Sequence, residues 1–189
     1  MDHTISKNDI LQTIIKNDDL IAIISEKLSV SKELIIATIS GKSNKSDNKV
    51  VLFIDGGSRG NPGISGSGVV LDVDGQKTGY YFYEGTGTNN EAEYKGLING
   101  LKIAIENGIG SVTAYSDSEL VCRQIKGQYK VKSETILPLF REAGELIDRF
   151  DFFELNHIPR EQNKDADRMA NLAMDKKING RVELTVAAD

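Results

Sequence analysis

The chain contains no tryptophan, one cysteine and two histidines among its 189 residues. With Cys122 alone, no internal disulfide can form and no cysteine-rich module is present. Its place in the apolar-periodic run Leu120-Val121-Cys122 predicts a small buried side chain rather than a reactive thiol. No apolar run approaches the roughly 20 residues that a membrane-spanning helix needs, so no membrane partner is expected. The N-terminus, MDHTISKNDI, carries acids early and lacks an apolar stretch followed by small residues. A secretory leader is therefore not expected, and a cytoplasmic location is the default expectation. Excess positive charge is missing too, the net charge being −5 at pH 7. A site that grips phosphates must then concentrate its own positive charge or use metal ions. What is present, 39% hydrophobic and 27% charged residues, lies near the soluble globular average and excludes a disordered chain.

Along the chain, the first stretch reads as helices only. Ile10, Leu11, Ile14 and Ile15, then Leu20, Ile21, Ile23, Ile24 and Leu28, recur at helical spacing. A Ser-Val-Ser turn at Ser29 to Ser31 precedes a second apolar run, so residues 1–40 are expected to form a small helical segment. It reads as a dimerisation element or bundle, with helix-turn-helix as the alternative, because acids and bases nearly cancel and no basic recognition face stands out. Residues 41–49 are polar and turn-rich and read as a linker. From Val51 the pattern changes to strands near Val51 to Ile54, Ser67 to Val73 and Gly79 to Tyr83. A helix from Glu91 to Asn107 follows, capped by Asn89 or Asn90 and stopped at Asn107-Gly108. Then come a strand at Ser111 to Ser116, helices at Ser118 to Lys126 and Glu134 to Phe150, a strand at Phe152 to His157, and a helix at Asn163 to Lys177. This order predicts an α/β domain over residues 50–178, a mixed five-stranded sheet flanked by helices. Residues 179–189 read as an uninformative C-terminal tail.

Acids stand at the punctuation points of that pattern. Asp55 ends the first strand, Glu93 lies in the first turn of the long helix, Asp117 ends the fourth strand, and Asp167 lies near the start of the last helix. Acids in first turns are favoured by the helix dipole, so Glu91, Glu93, Asp165 and Asp167 each have an ordinary explanation when taken singly. Asp55 does not, because an acid closing an apolar strand must pair, reach solvent or bind a cation.

The blocks Asp55-Gly56-Gly57-Ser58-Arg59-Gly60-Asn61-Pro62-Gly63, Thr88-Asn89-Asn90-Glu91-Ala92-Glu93, Ser116-Asp117-Ser118 and Asn163-Lys164-Asp165-Ala166-Asp167 resemble the four signature blocks of type 1 ribonuclease H, in order and at fitting spacing. The resemblance covers roughly residues 50 to 177. It implies a ribonuclease H-like fold and hydrolysis of the RNA strand of an RNA–DNA hybrid, leaving 5′-phosphate and 3′-hydroxyl ends. It also implies Asp55, Glu93, Asp117 and Asp167 as catalytic metal ligands, with Glu91 and Asp165 as competing choices. An all-carboxylate set without Cys or His suits two Mg²⁺ ions, or Mn²⁺ as substitute, about 4 Å apart. By the same resemblance the turn at Gly60, Asn61 and Gly63, together with Asn89 and Asn90, contacts the hybrid's minor groove, where the 2′-hydroxyl distinguishes RNA.

The sequence departs from the best-known members in three places. Where many carry a mobile histidine before the last helix, the shorter loop here puts Arg160 nearest that slot, with His157 as the alternative. Glu119 follows Asp117-Ser118 where amides are common. No basic protrusion is present, since Gly127 to Lys132 runs directly into the next helix, leaving Lys126, Lys130 and Lys132 as a small phosphate-binding patch. A homodimer through the N-terminal segment would offset weak hybrid binding. The competing readings are a non-catalytic nucleic-acid-binding protein of the same fold and a nuclease acting on double-stranded RNA or on DNA.

Overall fold

The computed structural model describes residues 13–14, 16–28, 32, 35–36 and 50–184. The chain divides between Asp47 and Asn48 into two units. In the N-terminal unit, helix α1 (Asp18–Leu28) starts where the Asn17 side chain accepts from the Leu20 amide at 3.0 Å. Ile21 is buried, while Leu20 and Ile23 are exposed. Ile10, Leu11, the Ser29 to Ser31 turn and the 41–49 linker lie outside the described residues. Among the described residues no helix is long and apolar enough to cross a membrane.

The second unit is a mixed sheet. Its elements are β1 (Val50–Gly60), β2 (Gly63–Val73), β3 (Gln76–Gly87), α2 (Asn89–Glu106), β4 (Ser111–Ser116), α3 (Glu119–Ile125), α4 (Ile136–Ile147), β5 (Phe152–His157), α5 (Lys164–Lys176) and β6 (Gly180–Leu184). The strand order is β5-β4-β1-β2-β3-β6, with β1 antiparallel to β2 and parallel to β4. The sheet therefore has six strands, not the expected five. The sixth comes from the segment read as a tail, whose Gly180 to Leu184 pairs with Tyr81 to Lys77 of β3. Its exposed Arg181-Val182-Glu183 lacks the apolar alternation that marks a strand buried on one face.

Alternation along β1 divides the core between the two faces of the sheet. Leu52 and Ile54 face α2 and pack with Val69, Tyr94, Leu97 and Leu101, all nearly inaccessible. Phe53 joins Val70, Met169 and Ala173 on the α5 side. Each such large apolar side chain contributes about 1.5–3 kcal/mol when buried. Cys122 lies in the first cluster, and burial pushes its thiol up to about 11, so it is inert packing.

The glycine-rich stretch after Ile54, read from sequence as a turn, instead continues β1 through Gly60, paired residue by residue with β2 back to Gly63. Glycine is needed there by close approach. A Cβ on Gly56 would lie 2.1 Å from the Ala92 carbonyl and 2.3 Å from the Glu93 amide of α2, and one on Gly68 would lie 2.1 Å from the Ala166 carbonyl of α5. Two helices thus sit directly on β1 and β2, α2 against Gly56 and α5 against Gly68.

Candidate active site

Four acids arrive at one cleft by four routes. The parallel β1–β4 pairing closes at its carboxyl end with Ile54 and Ser116, so Asp55, which continues β1, and Asp117, just past the end of β4, are the next residues on each side. Open α/β sheets place ligands at such carboxyl ends. Glu93 comes from the second turn of α2, held close by Gly56 and by Gly96, where a Cβ would sit 2.5 Å from the Asp55 carbonyl oxygen. Asp167 comes from the first turn of α5, drawn onto β2 by Gly66 and Gly68. Asp55, Gly57, Ser58, Arg59, Asn89, Glu93, Asp117, Arg160, Asp167 and Asn171 are among the residues lining the resulting cleft of about 290 Å³.

Each acid except Asp55 is held by a side-chain donor. Glu93 accepts from Asn89 Nδ2 at 3.0 Å and from Ser118 Oγ at 2.5 Å. Asp117 accepts from Asn163 Nδ2 at 2.8 Å. Asp167 accepts from Arg160 Nη2 at 2.5 Å and from Asn171 Nδ2 at 3.1 Å. Asp55 is pushed up from 3.8 to about 7, first by burial and then by the charges of Asp117 and Asp167, against a lowering contribution from the Gly56 amide. Burial also raises Glu93, although the Ser118 hydrogen bond opposes this. The donor set is all-oxygen and anionic, the chemistry that suits a hard divalent cation. Among the described residues, no three acids converge into a ready cage. The oxygens of Glu93, Asp117 and Asp167 are instead turned toward their amide, hydroxyl and guanidinium donors.

Of the competing acids, Glu91 closes a capping box with Thr88, accepting from the Thr88 amide at 2.7 Å, and its carboxyl is accordingly lowered. Thr88, not Asn89 or Asn90, is thus the cap of α2. Asp165 pairs with Arg168 at 3.5 Å on the outside of α5, and Glu119 pairs with Arg123 at 2.6 Å. Neither Asp165 nor Glu119 lines the cleft.

The structure brings Asn61 to Asn89, whose amide donates to Asn61 Oδ1 at 3.2 Å. Ser58 Oγ bonds the carbonyls of Gly60 and Gly87, tying the β1–β2 turn and Gly63 to the strand end that leads into α2. Asn90 is exposed in the first turn of α2. Arg160 sits in the short 3₁₀ turn Arg160–Gln162 at the cleft, whereas His157 ends β5 beside Ser116, exposed and outside the cleft lining. Lys130 is exposed after α3 and is not part of the cleft, and Lys126 reaches Asn156 Oδ1 at 3.3 Å. Ser118 and Asn163 stood in the signature blocks without a role, and Asn171 was not singled out, because a search for charge passes over neutral donors. The signal available was their position beside the acids, Ser118 directly after Asp117 and Asn163 and Asn171 four residues either side of Asp167.

A mixed sheet in this order, with helices on both faces and carboxylates where the parallel pairing of its central strands ends, defines a ribonuclease H-like protein. The family model described as reverse transcriptase-like matches residues 53–173. A bifunctional protein of Mycobacterium tuberculosis is 42% identical over 130 residues, covering 67% of this chain and 36% of that protein. The chain thus spans about a third of the length of its mycobacterial relatives. The crystal structure of LC11-RNase H1 in complex with RNA/DNA hybrid matches with a TM-score of 0.65 and 39% identity over 68% of this chain and 99% of that one. RNase H1 of the halophilic archaeon Halobacterium salinarum matches with a TM-score of 0.63 and 34% identity over 68% and 98%. The chain belongs to the reverse transcriptase-like family, and within it to the type 1 ribonucleases H.

Proposed function

We propose that the protein is an endoribonuclease that hydrolyses the RNA strand of RNA–DNA hybrids with divalent metal. The observation that carries this is the convergence of Asp55, Glu93, Asp117 and Asp167 on one cleft, where Asp55 is raised first by burial and then by the charges of Asp117 and Asp167. Carboxylates gathered in one cleft are stabilised as anions by a multivalent cation. Asp55, Glu93, Asp117 and Asp167 would hold it. When bound, a pair of Mg²⁺ ions, or Mn²⁺ in their place, supplies activation of a water and stabilisation of the leaving 3′ oxygen.

The chain's own residues do the rest. The Gly60-Asn61-Pro62-Gly63 turn and the N-terminus of α2, joined through Asn61 and Asn89, present backbone and amide groups to the minor groove of the hybrid. Asn90, exposed on the same turn of α2, adds an amide there. Arg160, with its side chain 74% exposed, moves between Asp167 and the scissile phosphate. Lys130 binds the backbone further from the reacting bond, and the short loop carrying Arg160, with Gly127 to Lys132 running directly into the next helix, supports assignment to the shorter-loop branch of the family.

The test compares labelled RNA–DNA hybrid, RNA duplex and DNA duplex in Mg²⁺ and in Mn²⁺. Cleavage of the hybrid alone, or far ahead of the other two, is the expected result. Preference for RNA duplex would redirect the assignment to a double-strand-specific nuclease. Binding to hybrid with no cleavage in either ion would leave a nucleic-acid-binding protein.

A further inference from the structure

Asn163 is the N-cap residue of α5, yet its side chain makes no capping hydrogen bond to that helix. Asparagine is among the preferred capping residues, so its side chain is committed elsewhere. The amide nitrogen donates to the Ile54 carbonyl at 2.9 Å and to Asp117 Oδ1 at 2.8 Å, and the residue is 1% exposed. Both partners can only accept, which fixes the orientation of the amide. Its own oxygen, Oδ1, is left buried without a partner. That unmet acceptor is a desolvation cost that an apolar residue in the same place would not carry.

These bonds join the middle of β1, the end of β4 and the start of α5. Ile54 directly precedes Asp55 on β1, Asp117 follows β4, and the Asp167 amide on α5 donates back to the Asn163 carbonyl at 3.0 Å. We infer that Asn163 is a positioning residue, which ties the middle of β1 and the end of β4 to the start of α5 and so holds Asp55, Asp117 and Asp167 about the cleft in which a divalent cation would be bound. The inference rests on the metal-dependent reading of the cleft. An uncharged amide suits this role because it fixes one oxygen of Asp117 while leaving the carboxylate its charge for a cation. An arginine or lysine would compete with that cation, and a serine hydroxyl has one proton and cannot serve both acceptors. Asn163→Asp keeps the shape and replaces the donor with a third acceptor.

Isothermal titration of Mg²⁺ into the full-length wild type, Asn163→Ala and Asn163→Asp tests this, alongside denaturant unfolding and hybrid kinetics. Asn163→Ala is expected to unfold cooperatively and to bind Mg²⁺ about tenfold more weakly, as is usual when a support of a ligand is removed. Its KM for hybrid at saturating Mg²⁺ stays within about twofold of wild type, while kcat falls at limiting Mg²⁺ and recovers as the ion is raised. Asn163→Asp loses more. A folded Asn163→Ala with wild-type Mg²⁺ affinity overturns the inference. Should neither variant fold, the side-chain amide resonances of Asn163 in the wild type decide: a shift on adding Mg²⁺ supports positioning, and no shift overturns it. A wild type that binds Mg²⁺ but cuts no hybrid would defeat the nuclease reading, while the metal-affinity comparison would still decide the role of Asn163.

Discussion

Replacing Asp55 by Asn is expected to stabilise the metal-free protein while abolishing cleavage. The Asp55 carboxyl is raised from 3.8 to about 7 in the fold, so between those values the folded state holds a proton that the unfolded chain has lost. Ionisation of Asp55 therefore costs nothing in stability below about pH 4, costs progressively more through the window, and reaches its full cost above about pH 7. A shift of about 3 units corresponds to an upper bound on the order of 4 kcal/mol at 1.36 kcal/mol per unit. Relaxation of the partly solvated cleft reduces this, and a gain of about 1–2 kcal/mol for Asp55→Asn near pH 8 is the working figure. For a chain of this length that is roughly 2–8 °C in Tm. The assay is urea unfolding of both proteins in excess chelator, near pH 8 and near pH 4. The difference should be present at the higher pH and vanish at the lower. Adding Mg²⁺ should then stabilise the wild type by about 2.7 kcal/mol at a hundredfold excess over its Kd, and the variant by less. A variant less stable than wild type at the higher pH, or a difference independent of pH, would refute the assignment of Asp55 as a carboxylate crowded by its neighbours.

Three further outcomes follow from the packing. Asp117→Asn should also abolish hybrid cleavage with its circular dichroism spectrum intact, since the residue lies at a strand end and outside both apolar clusters; an unfolded variant would make Asp117 structural. Gly56→Ala should destabilise by about 1–3 kcal/mol or more and lower activity, because its methyl must push α2, and Glu93 with it, away from β1; wild-type stability by urea unfolding would contradict the contact. A chain beginning at Asn48 should fold and keep its turnover at saturating hybrid, because the sheet, both apolar clusters and the cleft are built from residues beyond that point. Light scattering would show whether it has lost a dimer carried by the N-terminal unit, and an insoluble or inactive product would place that unit inside the catalytic core.

The acids were legible because each stands where a pattern changes, an apolar strand ending in Asp55 or a helix opening before Asp167. The sheet was legible for a similar reason, since Leu52-Phe53-Ile54 and Val69-Val70-Leu71 cannot be left in water. What the sequence hides is close approach. Gly56 looks like a turn residue until the helix backbone above it is seen, and the turn read there is strand, while nothing at Gly66 or Gly68 announces α5. β6 was missed because a strand at the edge of a sheet is held by backbone bonds, which carry no side-chain pattern. The cap of α2 was displaced by one residue because Asn89 turns its side chain to Glu93, leaving Thr88 and Glu91 to close the box. The role of Asn163 was hidden because its partners lie 46 and 109 residues away, and its place four residues before Asp167 gives only its position.

The most direct measurement is cleavage of hybrid with end-labelled RNA, in Mg²⁺ and in excess chelator, with the product ends identified. Cuts confined to the RNA strand, dependent on the ion, and leaving 5′-phosphate and 3′-hydroxyl ends are the expected result. Cleavage that persists in chelator, or cuts in the DNA strand, would contradict it.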